Sequence, residues 1–202
     1  ALRRVANGDL LVADVHLGKV ETFQAAGLAL PTGPTGESLD RLDHVIERAA
    51  PGRLVVLGDL LHARAGVTTD VIREVAAWRQ KHASLDIVLV RGNHDTRAGD
   101  PPHGWRLRCV DEPFAVEGVA YLHHPPNSDE DGPAIAGHLH PVTVVRDAGF
   151  RRRLACFHVA PRALTLPAIG SFTGGSRIRP NDDERVFAVD AETVVEVTAV
   201  SA

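Results

Sequence analysis

Three times in its first half this chain runs a short aliphatic segment straight into a cluster of Asp, His and Asn, and no other feature restricts its fold as strongly. The segments are LLVADVH (10–16), RLVVLGD (53–59) and IVLVRGNHD (87–95). An unbroken aliphatic run of this length, bounded by turn residues, predicts a strand buried on both faces, as in a parallel sheet. Between the runs lie helical periods. Leu39, Leu42, Val45, Ile46 and Ala49 form a stripe that begins after Ser38 and stops at Pro51-Gly52. Thr68 or Thr69 caps a second helix carrying Val71, Ile72, Val75 and Trp78. Strand and helix in alternation predict βα units.

Beyond about Asp100 the helical period fades. Strand-sized pieces follow at Val119–Leu122, Ala134–Gly137, Val142–Arg146, Leu154–Val159 and Val186–Val189, separated by Gly, Pro and Asp turns. The expected class is α/β (α+β), a mixed sheet or two-sheet β-sandwich with flanking helices, in a single domain over 1–202. Two stretches, Lys19–Glu37, rich in Gly and Pro, and Pro125–Pro133, polar and turn-like, resist assignment, and either could be a loop at the mouth of a site.

Composition excludes several classes. The longest aliphatic runs, such as Leu54–Leu57, have four residues, against the roughly 20 that a membrane span needs. The opening ALRRVANGDLLVAD has no apolar stretch of signal-peptide length, and Cys109 and Cys156 lack CxxC spacing, so a cytoplasmic protein with reduced thiols is expected. A net charge of −4 argues against a broad cationic footprint for nucleic acid, although it leaves room for a local site.

Five clusters sit where strands should end: Asp14-Val15-His16, Gly58-Asp59-Leu60-Leu61-His62, Gly92-Asn93-His94-Asp95, His123-His124 and Gly137-His138-Leu139-His140. They hold seven of the 11 histidines, and His44, His82, His103 and His158 read as surface or structural residues. Residues i and i+2 of an extended segment point the same way, so Asp14 with His16, and His138 with His140, make chelating pairs. Imidazole, carboxylate and carboxamide donors without thiolate suit Mn, Fe or Zn. Six or seven such donors exceed the needs of one ion. Two ions about 4 Å apart, sharing a carboxylate, would use them, and that arrangement recurs in in-line attack on phosphorus.

In their order, DxH, GD, GNH with an acidic residue, H and GHxH, the clusters resemble those of the calcineurin-like binuclear metallophosphoesterase superfamily. The blocks LLVADVHLGK, RLVVLGDLLHARAG, VLVRGNHD, HHP, AGHLHP and LPAIGSFTGG resemble more closely one clade, the ligase-associated DNA damage response endonucleases (PdeM), over Asp9 to about Gly175. This resemblance implies one metal held by Asp14, His16 and His140, a second held by Asn93, His123 and His138, and Asp59 as the bridge. Either His123 or His124 can end the strand before them; His123 is preferred as ligand and His124 is left to substrate. The resemblance further implies a manganese-dependent endonuclease acting on single-stranded DNA in repair, alongside an ATP-dependent ligase and a helicase.

The expected chemistry is attack by a water activated between two ions, with a general acid for the leaving alkoxide worth about 10²- to 10⁴-fold. His94 is expected in that role with Asp95 holding its ring, and His62 is expected to reach the phosphate. Arg64 and Arg91 are expected phosphate contacts, whereas Arg151-Arg152-Arg153 reads as a solvated strand edge. Trp78 is expected in the core. Aromatic residues make up 4%, leaving few platforms for stacking bases. Two other readings compete: a phosphatase or phosphodiesterase on nucleotides or other small phosphoesters, and a non-catalytic scaffold, which the intact donor set argues against.

Overall fold

The computed structural model describes residues 1–126, 132–147, 150–191 and 193–197. The first sheet consists of β1 (Leu2–Arg3), β2 (Asp9–Val12), β3 (Arg53–Leu57), β4 (Asp86–Val90) and β5 (Arg108–Val110), in that order. β2 to β5 run parallel, and β1 adds an antiparallel edge. The crossovers carry α1 (Lys19–Ala25), α2 (Pro34–Ala49), α3 (Thr69–Lys81) and α4 (Asn93–Ala98).

The unbroken aliphatic runs have a direct cause. Leu10, Val12, Leu54, Val56, Ile87 and Leu89 pack on one side against Leu39, Leu42, Ile46, Val71, Val75 and Trp105. The alternate residues Leu11, Val55, Leu57, Val88 and Val90 pack on the other side against Tyr121, Ile135 and Leu166. Neither face meets water, so neither face needs a polar residue.

The helices refine the expectations. Thr68 is the cap of α3, its hydroxyl accepting from the Val71 N–H at 3.3 Å. α2 begins at Pro34, earlier than expected: proline occupies the first turn, where a missing N–H costs nothing, and the Ser38 hydroxyl donates to the Pro34 carbonyl at 2.8 Å. The unassigned stretch Lys19–Glu37 therefore contains α1 and the first turn of α2. In α1 only Val20 is buried, which explains the absence of a period.

Asp43 ties α2 to α3, accepting from Trp78 Nε1 at 2.7 Å, Lys81 Nζ at 2.5 Å and His82 Nε2 at 2.5 Å. Burial works to raise its pKa, but the three donors outweigh burial and hold it below the usual carboxylate range. A depressed folded pKa contributes stability that is complete above the unfolded pKa and is lost as pH falls through the folded one. Asp43→Ala should therefore cost about 2 kcal/mol at pH 6. Urea unfolding at pH 6 and at pH 3 should show this gap closing in acid.

The second sheet comprises β6 (Phe114–Val116), β7 (Val119–Tyr121), β8 (Ala134–Ala136), β9 (Pro141–Asp147), β10 (Phe150–Val159), β11 (Ala163–Thr165), β12 (Ser176–Arg177), β13 (Arg185–Asp190) and β14 (Thr193–Val197). Its order is β12-β9-β10-β11-β8-β7-β6, with β13 on β10 and β14 on β13. The strands β12, β13 and β14, beyond the recognisable motifs, thus extend this sheet. Arg151, Arg152 and Arg153 are exposed in β10, and Arg152 pairs with Asp190 at 2.7 Å, in keeping with a solvated strand. Of the stretch 125–133, residues 127–131 lie outside the described residues. The sheets meet at one rim, where Ala13 bridges Ala168 and the His138 N–H donates to Asp14 Oδ2 at 3.0 Å. All five polar clusters open there.

Candidate metal centre and active site

Each candidate side chain stands in the first residues after a strand. β2 leads to Asp14 and His16, β3 to Asp59 and His62, β4 to Asn93, His94 and Asp95, β7 to His123 and His124, and β8 to His138 and His140. The backbone is left-handed at five of them: φ is 57° at Asp14, 53° at His16, 52° at Asp59, 69° at His138 and 45° at His140. Such a conformation costs a non-glycine residue about 1–3 kcal/mol and persists where function requires it. These five are the majority of the nine such residues described.

Glycine allows the loops to close in. A Cβ on Gly58, itself at φ 75°, would overlap the His123 ring, and one on Gly92 would overlap the Asp59 carboxylate. The glycines of GD and GNH thus leave room for donors that arrive from neighbouring strands.

Two donor sets result. In the first, His140 Nε2 lies 3.3 Å from Asp14 Oδ1 and 3.3 Å from His16 Nε2. In the second, His123 Nε2 lies 3.0 Å from Asn93 Oδ1 and 3.1 Å from His138 Nδ1. Asp59 stands between them, with Oδ2 at 3.9 Å from His16 Nε2 and 3.5 Å from His123 Nε2. The fold thus brings these side chains together in two sets, and it corrects one expectation: His138 and His140 do not form a pair on one side of an extended segment but turn to different sets, because both residues have left-handed backbone. Of the two adjacent histidines, His123 is fully buried and reaches the centre. His124 is exposed and turns its Nδ1 to Glu112 Oε1 at 2.7 Å, with its ring 4.5 Å from that of His138.

The electrostatics suit cations. Burial, helped by His140 and Lys19, pushes the His16 pKa down to about 2, and burial likewise lowers His123 and His138. These rings are neutral and keep a lone pair to donate. At His140 burial lowers the pKa, but the adjacent Asp14 carboxylate outweighs it and the net direction is upward. Burial, with Asp14 nearby, raises Asp59. Two carboxylates buried to 0% and 2% exposure, among converging imidazoles, call for positive charge, and a nitrogen and oxygen set without thiolate fits borderline-to-hard divalent ions.

The residues expected in catalysis divide. His94 Nδ1 donates to the His62 carbonyl at 2.7 Å, leaving Nε2 free for substrate. His62 stacks on His94 with centroids 4.8 Å apart, and its Nδ1 is 3.4 Å from His16 Nδ1; burial lowers its pKa to about 4. Arg64 is exposed and makes no side-chain hydrogen bond among the described residues. Two expectations need correction. Asp95 does not hold the His94 ring: its carboxylate accepts backbone N–H groups from Leu61 at 2.9 Å, Gly92 at 3.0 Å and Leu60 at 3.4 Å, because it sits three residues into α4 beneath both loops. Arg91 is not available to phosphate in this arrangement: it forms a two-pronged pair with Asp100 at 2.7 and 2.9 Å and a third bond to Asp111 at 2.9 Å.

Glu112 escapes a reading of the sequence. Its Oε2 accepts the N–H groups of His123 at 2.8 Å and His124 at 3.0 Å, which sets the turn carrying both. A single glutamate in an undistinguished DEP tripeptide carries no signal of this.

Residues 10–156 match the family model of the calcineurin-like phosphoesterases. The chain belongs to that family. Calcineurin-like enzymes are binuclear and metal-dependent, so the two donor sets belong to a metal-dependent phosphoesterase. Among solved structures, the nuclease MPE of Pseudomonas putida is 40% identical, with a TM-score of 0.81 over 95% of this chain and 88% of that one, consistent with the clade resemblance. The E. coli phosphoesterase Yfce, at 13% identity, superposes with a TM-score of 0.40 over 92% of this chain and 90% of its own. No curated protein matches the chain. Among the described residues no helix is long and apolar enough to cross a membrane.

Proposed function

We propose that this calcineurin-like phosphoesterase is a manganese-dependent phosphodiesterase that cuts single-stranded DNA internally, in cytoplasmic DNA repair alongside an ATP-dependent ligase and a helicase. The observation that carries the hydrolytic reading is the meeting of two nitrogen and oxygen donor sets on Asp59. The similarity to the P. putida nuclease supports a nucleic acid as the substrate, and the clade resemblance supports DNA, manganese, the single strand and the repair setting.

Asp14, His16 and His140 would hold one ion, Asn93, His123 and His138 the other, and Asp59 both. Divalent cations there supply positive charge to phosphoryl oxygens and bring the pKa of water toward neutrality. The chain's own residues do the rest. The His62 carbonyl holds the Nδ1–H of His94, so in the doubly protonated ring it is Nε2–H that gives its proton to the departing alkoxide, leaving the neutral Nδ1–H tautomer. The His62 ring backs that of His94 and limits its rotation. Arg64 and His124, both exposed at the rim, are available to the flanking strand.

The test uses circular single-stranded DNA with Mn²⁺, which an endonuclease must linearise. His94→Ala and His62→Ala should retain two ions per chain, and His94→Ala should lose about 10²- to 10⁴-fold on DNA. Its loss on bis(p-nitrophenyl) phosphate should be smaller, since that leaving group needs no proton. An intact circle beside rapid turnover of a mononucleotide would instead identify a small-molecule phosphoesterase, and equal small losses on both substrates would remove His94 from the role of acid.

A further inference from the structure

Beside the metal centre, and sharing His140 with it, lies an open cavity of about 280 Å³. One wall is the segment 170–175 from LPAIGSFTGG, the other is formed by β9 and β10, and Arg41 of α2 and Arg153 of β10 stand at its sides. Among the described residues no carboxylate lines it. Two guanidiniums facing a common space without a counter-charge constitute an anion site.

The segment 170–175 is held from several directions. Arg41 Nη1 donates to the carbonyls of Ile169 and Gly170 at 3.1 Å each, Arg153 Nη2 donates to the Gly175 carbonyl, and His140 Nδ1 donates to the Gly174 carbonyl at 3.3 Å. A guanidinium has five N–H donors in a fixed fork, so both arginines keep donors for an oxygen ligand after anchoring the loop. The anchoring also restricts their side chains before any ligand arrives, which lowers the entropic cost of binding.

We propose that this cavity binds the phosphate of a nucleotide adjoining the scissile one, with Arg41 and Arg153 as its ligands. The assignment rests on the nuclease reading above, because a nucleic-acid strand carries a second phosphate one nucleotide away from the scissile one. Its position beyond His140 makes it a continuation of the catalytic centre along the strand. The site reads charge and backbone, which gives affinity without base preference.

The experiment uses the full-length, manganese-loaded protein and the variants Arg41→Gln, Arg153→Gln and both together, since glutamine retains an N–H for the loop carbonyl. Hydrolysis of bis(p-nitrophenyl) phosphate is followed with and without a single-stranded oligodeoxythymidylate as competitor. In the double variant the inhibition constant of the oligonucleotide should rise roughly tenfold or more. Its dependence on log salt should become shallower by about 0.7, the value for one single-strand phosphate contact. An inhibition constant and salt slope equal to those of the wild type would overturn the assignment, as would a loss on the aryl diester as large as the loss of oligonucleotide binding, which would mean that the loop had collapsed onto His140. If the oligonucleotide inhibits the wild type but is never cut, the nuclease reading fails, and the shift in inhibition still decides the cavity. No inhibition of the wild type would overturn both.

Discussion

Asp59→Asn is expected to lower phosphodiester hydrolysis on the order of 10³-fold and to reduce bound metal from two ions per chain toward one. Asp59 faces both donor sets at 3.9 and 3.5 Å, so its charge cannot be replaced from either side. The substitution isolates charge from architecture. Asp59 Oδ1 also accepts the His94 N–H at 2.9 Å, and the amide oxygen of asparagine can keep that bond and the start of α4 with it. Asp59 is 2% exposed and burial raises its pKa, so without metal the fold should tolerate a neutral group there. Metal analysis and a rate on bis(p-nitrophenyl) phosphate check the result. Two ions retained with activity within tenfold of wild type would show that Asp59 does not join the two sets.

Asp95→Ala should cost about 3–5 kcal/mol of stability and lower the melting temperature by roughly 10 °C. The reason lies in the backbone. The Asp95 carboxylate is the acceptor for the N–H groups of Leu61, Gly92 and Leu60, and the residue is 1% exposed, so water cannot replace it. Each buried donor left unsatisfied costs about 1–3 kcal/mol. Those donors flank Asp59 and Asn93, so the variant should also bind metal less tightly, by the 10- to 100-fold typical of lost outer-sphere support. Asp95→Asn, with one acceptor oxygen left, should fall between. A thermal scan and a metal titration follow both effects. Full stability with a selective loss of DNA cleavage would return Asp95 to the partnership with His94 that the wording GNHD suggests.

Much of the fold was legible because its physical causes are local. Burial on two faces left the aliphatic runs of β2, β3 and β4 unbroken, and Thr68 before Val71 and Val75 marked the start of α3. α1 was illegible because its burial depends on one residue, Val20, and the small strands β1, β5 and β12 owe their pairing to neighbours that the chain reaches only after folding.

The same division runs through the site. Coordination chemistry depends on residue type, and the order of the motifs resembles that of a known family, so the candidate donors could be named; the left-handed backbone at Asp14, His16, His138 and His140 was not legible, and it replaces the extended pairs that the i, i+2 spacing suggests. The partners of the second rank depend on where loops far apart in the chain come to rest. Arg91 and Asp95 adjoin the motifs in sequence, yet one is claimed by Asp100 and Asp111 and the other by three backbone amides. Glu112 and Arg153 are distant from the clusters they serve. The amino-acid sequence by itself therefore determined the strand cores and singled out the candidate donors. Only the tertiary structure decided which polar groups remain free for a substrate, because a hydrogen bond belongs to whichever donor and acceptor the packed chain brings within about 3 Å.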